Sequence, residues 1–370
     1  MIYNEIKGVL RQFRFEGSFQ EVVEVHTGNI NNTYHLYYNT GDGVHEYILQ
    51  QINTFAFKKP EEVMGNIRRV TRHLERAVTM EGLDATRRVL RLICTHDGSW
   101  MYRDDRDRCW RAYDFITGAK TYDCSETPEQ FREVGRAFGR FQRLLTDFPA
   151  YDLYETIPDF HNTRKRFFDF VAAVGRDPVG RVKYVEDEID FLFDRRKMMS
   201  QVVKMIEDGQ IPLRVTHNDT KINNVMIDEK TGEALCVIDL DTVMPGSVLY
   251  DYGDAIRSGA NTSFEDEPDT SKIALDMEMF RSFTDSFVHE VRKSLTEEEL
   301  RLLPLGVKIM TCELAMRFLT DYIEGDVYFK VRSPEHNLIR ARAQMKLLTD
   351  VEVKYDDLCK EVEKLIRTEK

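Results

Sequence analysis

Four side chains carry groups that could do chemistry at a meaningful spacing: Asp219, Lys221 two residues on, Asn224 five residues on, and Asp239 at the end of the next apolar run. They lie in Val215-Thr216-His217-Asn218-Asp219-Thr220-Lys221-Ile222-Asn223-Asn224-Val225-Met226-Ile227-Asp228 and in Ala234-Leu235-Cys236-Val237-Ile238-Asp239-Leu240-Asp241. A Lys230-Thr231-Gly232 turn joins the two runs. A carboxylate at the head of a loop can align a hydroxyl and accept its proton. An amide oxygen and a second carboxylate are hard donors of the kind that hold Mg2+ beside water and phosphate. Moving a phosphoryl group from a nucleotide to a hydroxyl needs this set. Asp219 is therefore the candidate base, and Lys221 a candidate for neutralising charge on the transferring group. Asn224 and Asp239 are candidate metal ligands, with Asp241 either a further ligand or a turn residue. His217 reads as a packing and hydrogen-bonding residue that shapes the loop.

The elements around these residues must bring them together. Short strands at 213–216, 225–228 and 234–240 predict a strand–loop–hairpin in which Asn224 and Asp239 sit at adjacent strand ends. Helices are expected on either side, at 159–175, 184–208, 271–294, 297–323 and 334–367. Thr127-Pro128-Glu129-Gln130 combines an N-cap, proline at the first helical position and a capping-box glutamine. Phe131, Val134, Phe138, Phe141 and Leu145 then repeat at helical spacing. Before residue 117 the character differs. A short helix precedes strands at 22–26, 34–38 and 46–52, a helix follows at 60–80, and strands return near 88–95 and 100–116. The expected fold class is α+β with two lobes: a small β-rich lobe over 1–115 and a larger, mainly helical lobe over 116–370.

Composition sets bounds. Lys and Arg number 52 against 64 Asp and Glu, a formal charge of −12. That balance argues against a nucleic-acid partner, while a few local donors and a metal ion still accommodate a phosphorylated ligand. Six cysteines without C-x-x-C spacing fit reduced thiols in a cytoplasmic protein. Met1-Ile2-Tyr3-Asn4-Glu5 lacks the layout of a signal peptide, and no apolar run reaches a membrane span.

His217-x-Asp219-x-x-x-x-Asn224 followed by Ile238-Asp239 resembles the signature of the aminoglycoside phosphotransferase and choline kinase superfamily. The resemblance implies a bilobal protein-kinase-like fold, ATP and Mg2+ as cofactors, Asp219 as base, and Asn224 with Asp239 on the metal. It implies that Asp251 accepts backbone N–H groups of the catalytic loop. The segment Thr27-Gly28-Asn29-Ile30-Asn31-Asn32-Thr33 would cover the phosphates, which makes Gly28, Asn31, Asn32 and Thr33 candidate nucleotide-binding residues. Where the superfamily carries a phosphate-binding lysine, this chain has Gln50 and Gln51, so Gln50 becomes the candidate. Tyr113 and Phe115 mark the junction whose backbone would meet adenine.

A narrower likeness concerns the acceptor. The segments 27–34 and 47–53, His217-Asn218-Asp219-Thr220-Lys221, 238–246 and Arg317-Phe318-Leu319-Thr320-Asp321-Tyr322 resemble the N-acetylhexosamine 1-kinase group. The implied reaction is phosphorylation of the anomeric hydroxyl of N-acetylglucosamine or N-acetylgalactosamine, with Arg317, Asp321 and Tyr322 toward the sugar. Glu313, Arg317, Asp321 and Glu324 would otherwise form a solvated charge stripe on their helix. Asp254 and Arg257 are secondary candidates. The alternatives are a kinase of the same fold acting on choline, an aminoglycoside, homoserine or another small hydroxyl acceptor, and a non-catalytic nucleotide-binding protein. The expected partners are ATP and a small sugar, with the chain a monomer or weak homo-oligomer.

Overall fold

The computed structural model describes residues 2–26 and 30–367, so Gly28 lies outside the described residues, as do Thr27 and Asn29. In chain order the first elements are α1 (Ile2–Leu10), β1 (Ser18–Val25), β2 (Asn32–Asn39), β3 (Val44–Ile52), α2 (Pro60–Met80), β4 (Leu92–Ile93), β5 (Tyr102–Arg103), β6 (Cys109–Asp114) and β7 (Ala119–Lys120). There follow α3 (Pro128–Leu144), α4 (Thr163–Arg176), α5 (Glu186–Asp194), α6 (Arg196–Met199), α7 (Gln201–Glu207), β8 (Arg214–Thr216), β9 (Val225–Asp228), β10 (Ala234–Val237), β11 (Met244–Gly246), α8 (Val248–Gly259), α9 (Met277–Val291), α10 (Glu297–Glu324) and α11 (His336–Arg367). This is an α+β chain with an antiparallel sheet in its N-terminal region and helices in its C-terminal region. Among the described residues no helix is long and apolar enough to cross a membrane.

Two compact units partition the chain. The first comprises Met1–Lys120, Asp152–Ile157 and Met226–Met244, so it takes in the β9–β10 hairpin as well as the N-terminal elements. Its antiparallel sheet runs β1-β2-β3-β6-β4, with β5 also on β6. Period-two alternation places Leu36, Tyr38, Tyr47 and Leu49 on one face, where they pack with Trp110 against Ile6, Val9 and Leu10 of α1. The opposite face of the same strands carries Thr33, Gln50 and Arg111, aligned by the pairings Thr33↔Gln50 and Gln50↔Arg111. In α2, Pro60 opens the helix and Val63, Ile67, Val70, Leu74 and Val78 recur on its buried side.

The second unit comprises Thr121–Tyr151, Pro158–Val225 and Pro245–Lys370. Thr127 caps α3 by accepting the Gln130 N–H at 3.3 Å. The single helix expected at 184–208 is broken into α5, α6 and α7. At the first break Arg195 turns its guanidinium back onto the Phe191 carbonyl at 2.8 Å and across to Glu352, satisfying an otherwise orphaned acceptor. The helix α8 has no counterpart among the elements expected from the sequence. Every residue from Val248 to Arg257 is buried, the charged Asp251, Asp254 and Arg257 included, so no solvent-facing side marks this helix. The stretch 297–323 does form a helix, α10, opened by a Thr296–Glu299 capping box. Its charge stripe is not solvated: Glu313 is 0% and Asp321 3% exposed.

Candidate active site

The loop after β8 holds the candidate base. Asn224 Nδ2 donates to the Asp219 backbone carbonyl at 2.8 Å and to its carboxylate at 3.1 Å, and Lys221 Nζ lies 2.9 Å from the other carboxylate oxygen. With its nitrogen committed to Asp219, the Asn224 amide turns its oxygen away, the end a hard cation would use. The Asp219 side chain keeps 30% of its surface open. Burial, the largest single influence, would raise its pKa, but Lys221, His217 and Asn224 together outweigh it and hold the carboxyl below the usual range. Asp219 in turn raises the Lys221 ammonium well above its ordinary value, helped by Asp254 and Glu265. The loop therefore presents an ionised carboxylate, partly open and with fixed neighbours.

A second carboxylate fixes that loop. Asp251, on α8 and 1% exposed, accepts the backbone N–H groups of His217 and Asn218, each at 2.8 Å. Gln142 of α3 adds a third bond to Asp251 at 2.7 Å and also donates to the Val215 carbonyl. Thr220 Oγ donates to the Asp251 carbonyl at 2.6 Å. Asn218 is thereby held at φ 64°, a left-handed conformation that asparagine tolerates better than most residues. His217 sits edge-on to Phe138 and Phe141, and its Nδ1 accepts the Asp219 N–H at 3.3 Å. It shapes the loop as expected.

In the first unit Asp239 follows β10 and takes the left-handed conformation at φ 58°. Two residues on, Asp241 has another occupation. Both its oxygens pair with the Arg111 guanidinium, and Asn31 Nδ2 donates to it at 2.7 Å. Arg111 is 1% exposed, so this pair is buried. The guanidinium also donates to Gln50 Oε1 through Nε at 3.0 Å and Nη2 at 2.8 Å. Gln50 Nε2 then donates to Thr33 Oγ at 3.1 Å. Asn31 accepts the Asn53 N–H, and Asn32 reaches Gln51 at 3.5 Å. Tyr113 packs beneath Arg111, and Phe115 stacks on His35. Arg111, which the sequence reading passed over, is the hub of this cluster.

The metal-binding chemistry can be weighed from the donors. Among the described residues no three His, Cys, Asp or Glu side chains gather to hold a metal. Magnesium, which keeps several waters and binds phosphate oxygens, fits a sparser protein contribution of one amide oxygen and one carboxylate. Asn224 and Asp239 supply those types, while Asp241 is consumed by Arg111.

A separate cleft of about 310 Å³ in the second unit is lined by residues that include Arg166, Arg317, Thr320, Asp321, Tyr328 and Phe329. Arg317 lies 3.7 Å from the buried Glu313, which His161 Nδ1 meets at 2.9 Å. Burial would raise the Glu313 pKa, but His161 and then Arg317 and Arg166 hold it below its usual range. Asp321 borders the cleft but spends its carboxylate on the N–H groups of Val327, Tyr328 and Phe329 and on Asn337. It positions Tyr328 rather than offering free oxygens. Tyr322 is not part of the lining; its ring lies under Arg181. Tyr328 and Arg166 were not legible beforehand, because only the turn after α10 brings 328 back beside 317.

Residues 21–276 match the phosphotransferase enzyme family. Similar solved structures include an aminoglycoside phosphotransferase from Alicyclobacillus acidocaldarius, with TM-score 0.61, 12% identity and coverage of 95% of this chain and 94% of that one. A spectinomycin phosphotransferase, solved with ADP and spectinomycin, matches with TM-score 0.55, 11% identity and coverage of 95% and 98%. Choline kinase from Cryptosporidium parvum matches with TM-score 0.54, 12% identity and coverage of 91% and 90%. At such identities these likenesses speak for the fold alone. The family match over more than half of the chain goes further, and the chain belongs to the phosphotransferase enzyme family.

Proposed function

We propose that this phosphotransferase moves the γ-phosphoryl group of ATP to the anomeric hydroxyl of an N-acetylhexosamine. The observation that carries the reading is the state of Asp219: ionised, partly open, and bracketed by Lys221 and Asn224. In this role Asp219 orients the hydroxyl and accepts its proton, and Lys221 offsets negative charge gathering on the transferring group. Asn31, Asn32, Thr33 and Gln50 serve the nucleotide phosphates, with Gly28 their companion in the same segment. Tyr113 and Phe115 belong to the adenine end. Asn224 and Asp239 hold Mg2+, which when bound neutralises phosphate charge. Positioning and electrostatics then supply most of the acceleration.

The 310 Å³ cleft supports the choice of acceptor. Its size suits a monosaccharide better than a three-ring drug. Arg317 offers fork-like donors to sugar oxygens, and the exposed Tyr328 ring gives an apolar plate for a sugar face or an acetyl methyl. Arg166, Arg176 and Arg317 line it together with Asp169, Asp321 and Glu324, so its wall carries donors and acceptors of both signs, which suits a polyhydroxylated sugar. Within this reading Arg317 keeps its sugar-facing role and Tyr328 takes the place of Tyr322. ADP release measured across N-acetylglucosamine, N-acetylgalactosamine, unmodified hexoses, choline and kanamycin tests it. Turnover confined to the acetylated sugars is expected, and turnover on choline alone would overturn the choice.

A further inference from the structure

The first unit has a row of side chains on one face of its sheet: Thr33 on β2, Gln50 on β3 and Arg111 on β6, placed side by side by strand register. The Gln50 carbonyl oxygen accepts two N–H groups from Arg111, at 3.0 and 2.8 Å. A flipped amide would aim its NH2 at a guanidinium that has only donors, so one orientation is enforced. The NH2 is left facing Thr33 Oγ, at the described edge of the 27–33 segment. Arg111 cannot reach a ligand itself, being 1% exposed and engaged by both oxygens of Asp241. Its charge can act outward only through the amide it holds.

We infer that Gln50 is the side-chain donor to the nucleotide phosphates and that Arg111 is its positioning residue, locking the amide with NH2 outward and polarising it. The inference rests on the reading that this unit binds the nucleotide. A guanidinium on the carbonyl strengthens the N–H as a donor. The arrangement has a sharp consequence: a lysine at position 50 would set an ammonium against the Arg111 guanidinium and lose the acceptor that Arg111 needs. The chain is thus built to use an amide here, and a cation would weaken it.

Affinities for MgADP and for adenosine, measured by calorimetry on wild type and variants, test this. Gln50→Lys is expected to bind MgADP about tenfold more weakly, the worth of one charge-assisted hydrogen bond, with adenosine unaffected. Equal or tighter MgADP binding by that variant would overturn the inference. Placing Gln50→Lys in an Arg111→Met/Asp241→Asn background, which removes the buried charges as a pair, should restore affinity to near the wild-type level. Failure to restore it in a variant that melts cooperatively would also overturn it. Arg111→Lys keeps a charge opposite Asp241 but loses the fork to Gln50. It should weaken MgADP several-fold and leave adenosine alone, and an unchanged MgADP affinity counts against the inference. Wild type that binds neither ligand would overturn the nucleotide reading itself, and with it this inference.

Discussion

Asp219 and Lys221 form an exposed-edge pair whose value is electrostatic rather than structural. Replacing Asp219 by Asn keeps the shape of the loop but removes the proposed proton acceptor. We expect kcat to fall about 10³-fold, within the range for a general base, with MgADP affinity nearly unchanged in equilibrium titration. Removing Lys221 acts on the same carboxyl from the other side. With Lys221 present the folded pKa lies below the ordinary carboxylate value of about 4, so Asp219 stays ionised below that pH and activity is lost only as pH falls through the lowered pKa. In Lys221→Met burial has lost its chief opponent, so the acid limb of log kcat/KM should move to higher pH. A limb that stays in place would remove Lys221 from this role. Asp219, Asn224 and Asp239 are legible in the sequence because a loop and a hairpin keep them within about twenty residues. Arg111 is not, since its partner Asp241 lies 130 positions away and nothing local marks a buried guanidinium.

Helix α8 sets the catalytic loop by carrying Asp251, and it lies close against α10. A Cβ on Gly253 would come well inside van der Waals contact distance of the Gly306 carbonyl oxygen, and one on Gly306 would do the same at the Leu249 carbonyl. Gly253→Ala is expected to cost about 2 kcal/mol in urea denaturation, since backbone atoms cannot step aside as a flexible side chain can. Asp251→Ala should cost about 3 kcal/mol, because it strands the buried N–H groups of His217 and Asn218 and the Gln142 amide. The amphipathic α2 and α3 are readable from spacing and helix starts and α10 from its capping box, whereas in α8 the charged Asp251, Asp254 and Arg257 are buried with the apolar residues, so no solvent face marks the helix. Glu313 was open to reading as a solvated charge because i,i+4 spacing alone does not distinguish a salt-bridged surface from a buried His161–Glu313–Arg317 cluster.

For the molecule as a whole, the formal charge of −12 would oppose a polyanionic nucleotide, so on the proposed reading binding comes from local donors and a metal. MgATP at 100 times its Kd should stabilise the unit that holds it by about 2.7 kcal/mol, read as a rise in melting temperature that chelation of magnesium abolishes. Asp239→Ala should raise the magnesium concentration needed for half-maximal stabilisation. The family, the α+β fold and the two kinds of region could be read from motif and composition, while the cleft proposed for the acceptor could not, because Arg317 and Tyr328 meet only across a turn. The most direct test of the whole account is phosphorus NMR of the product made from MgATP and N-acetylglucosamine or N-acetylgalactosamine, with wild type and Asp219→Asn side by side. The account predicts an anomeric sugar phosphate from wild type and almost none from Asp219→Asn at equal nucleotide occupancy. Phosphate carried on another hydroxyl, or equal product from both proteins, would contradict it.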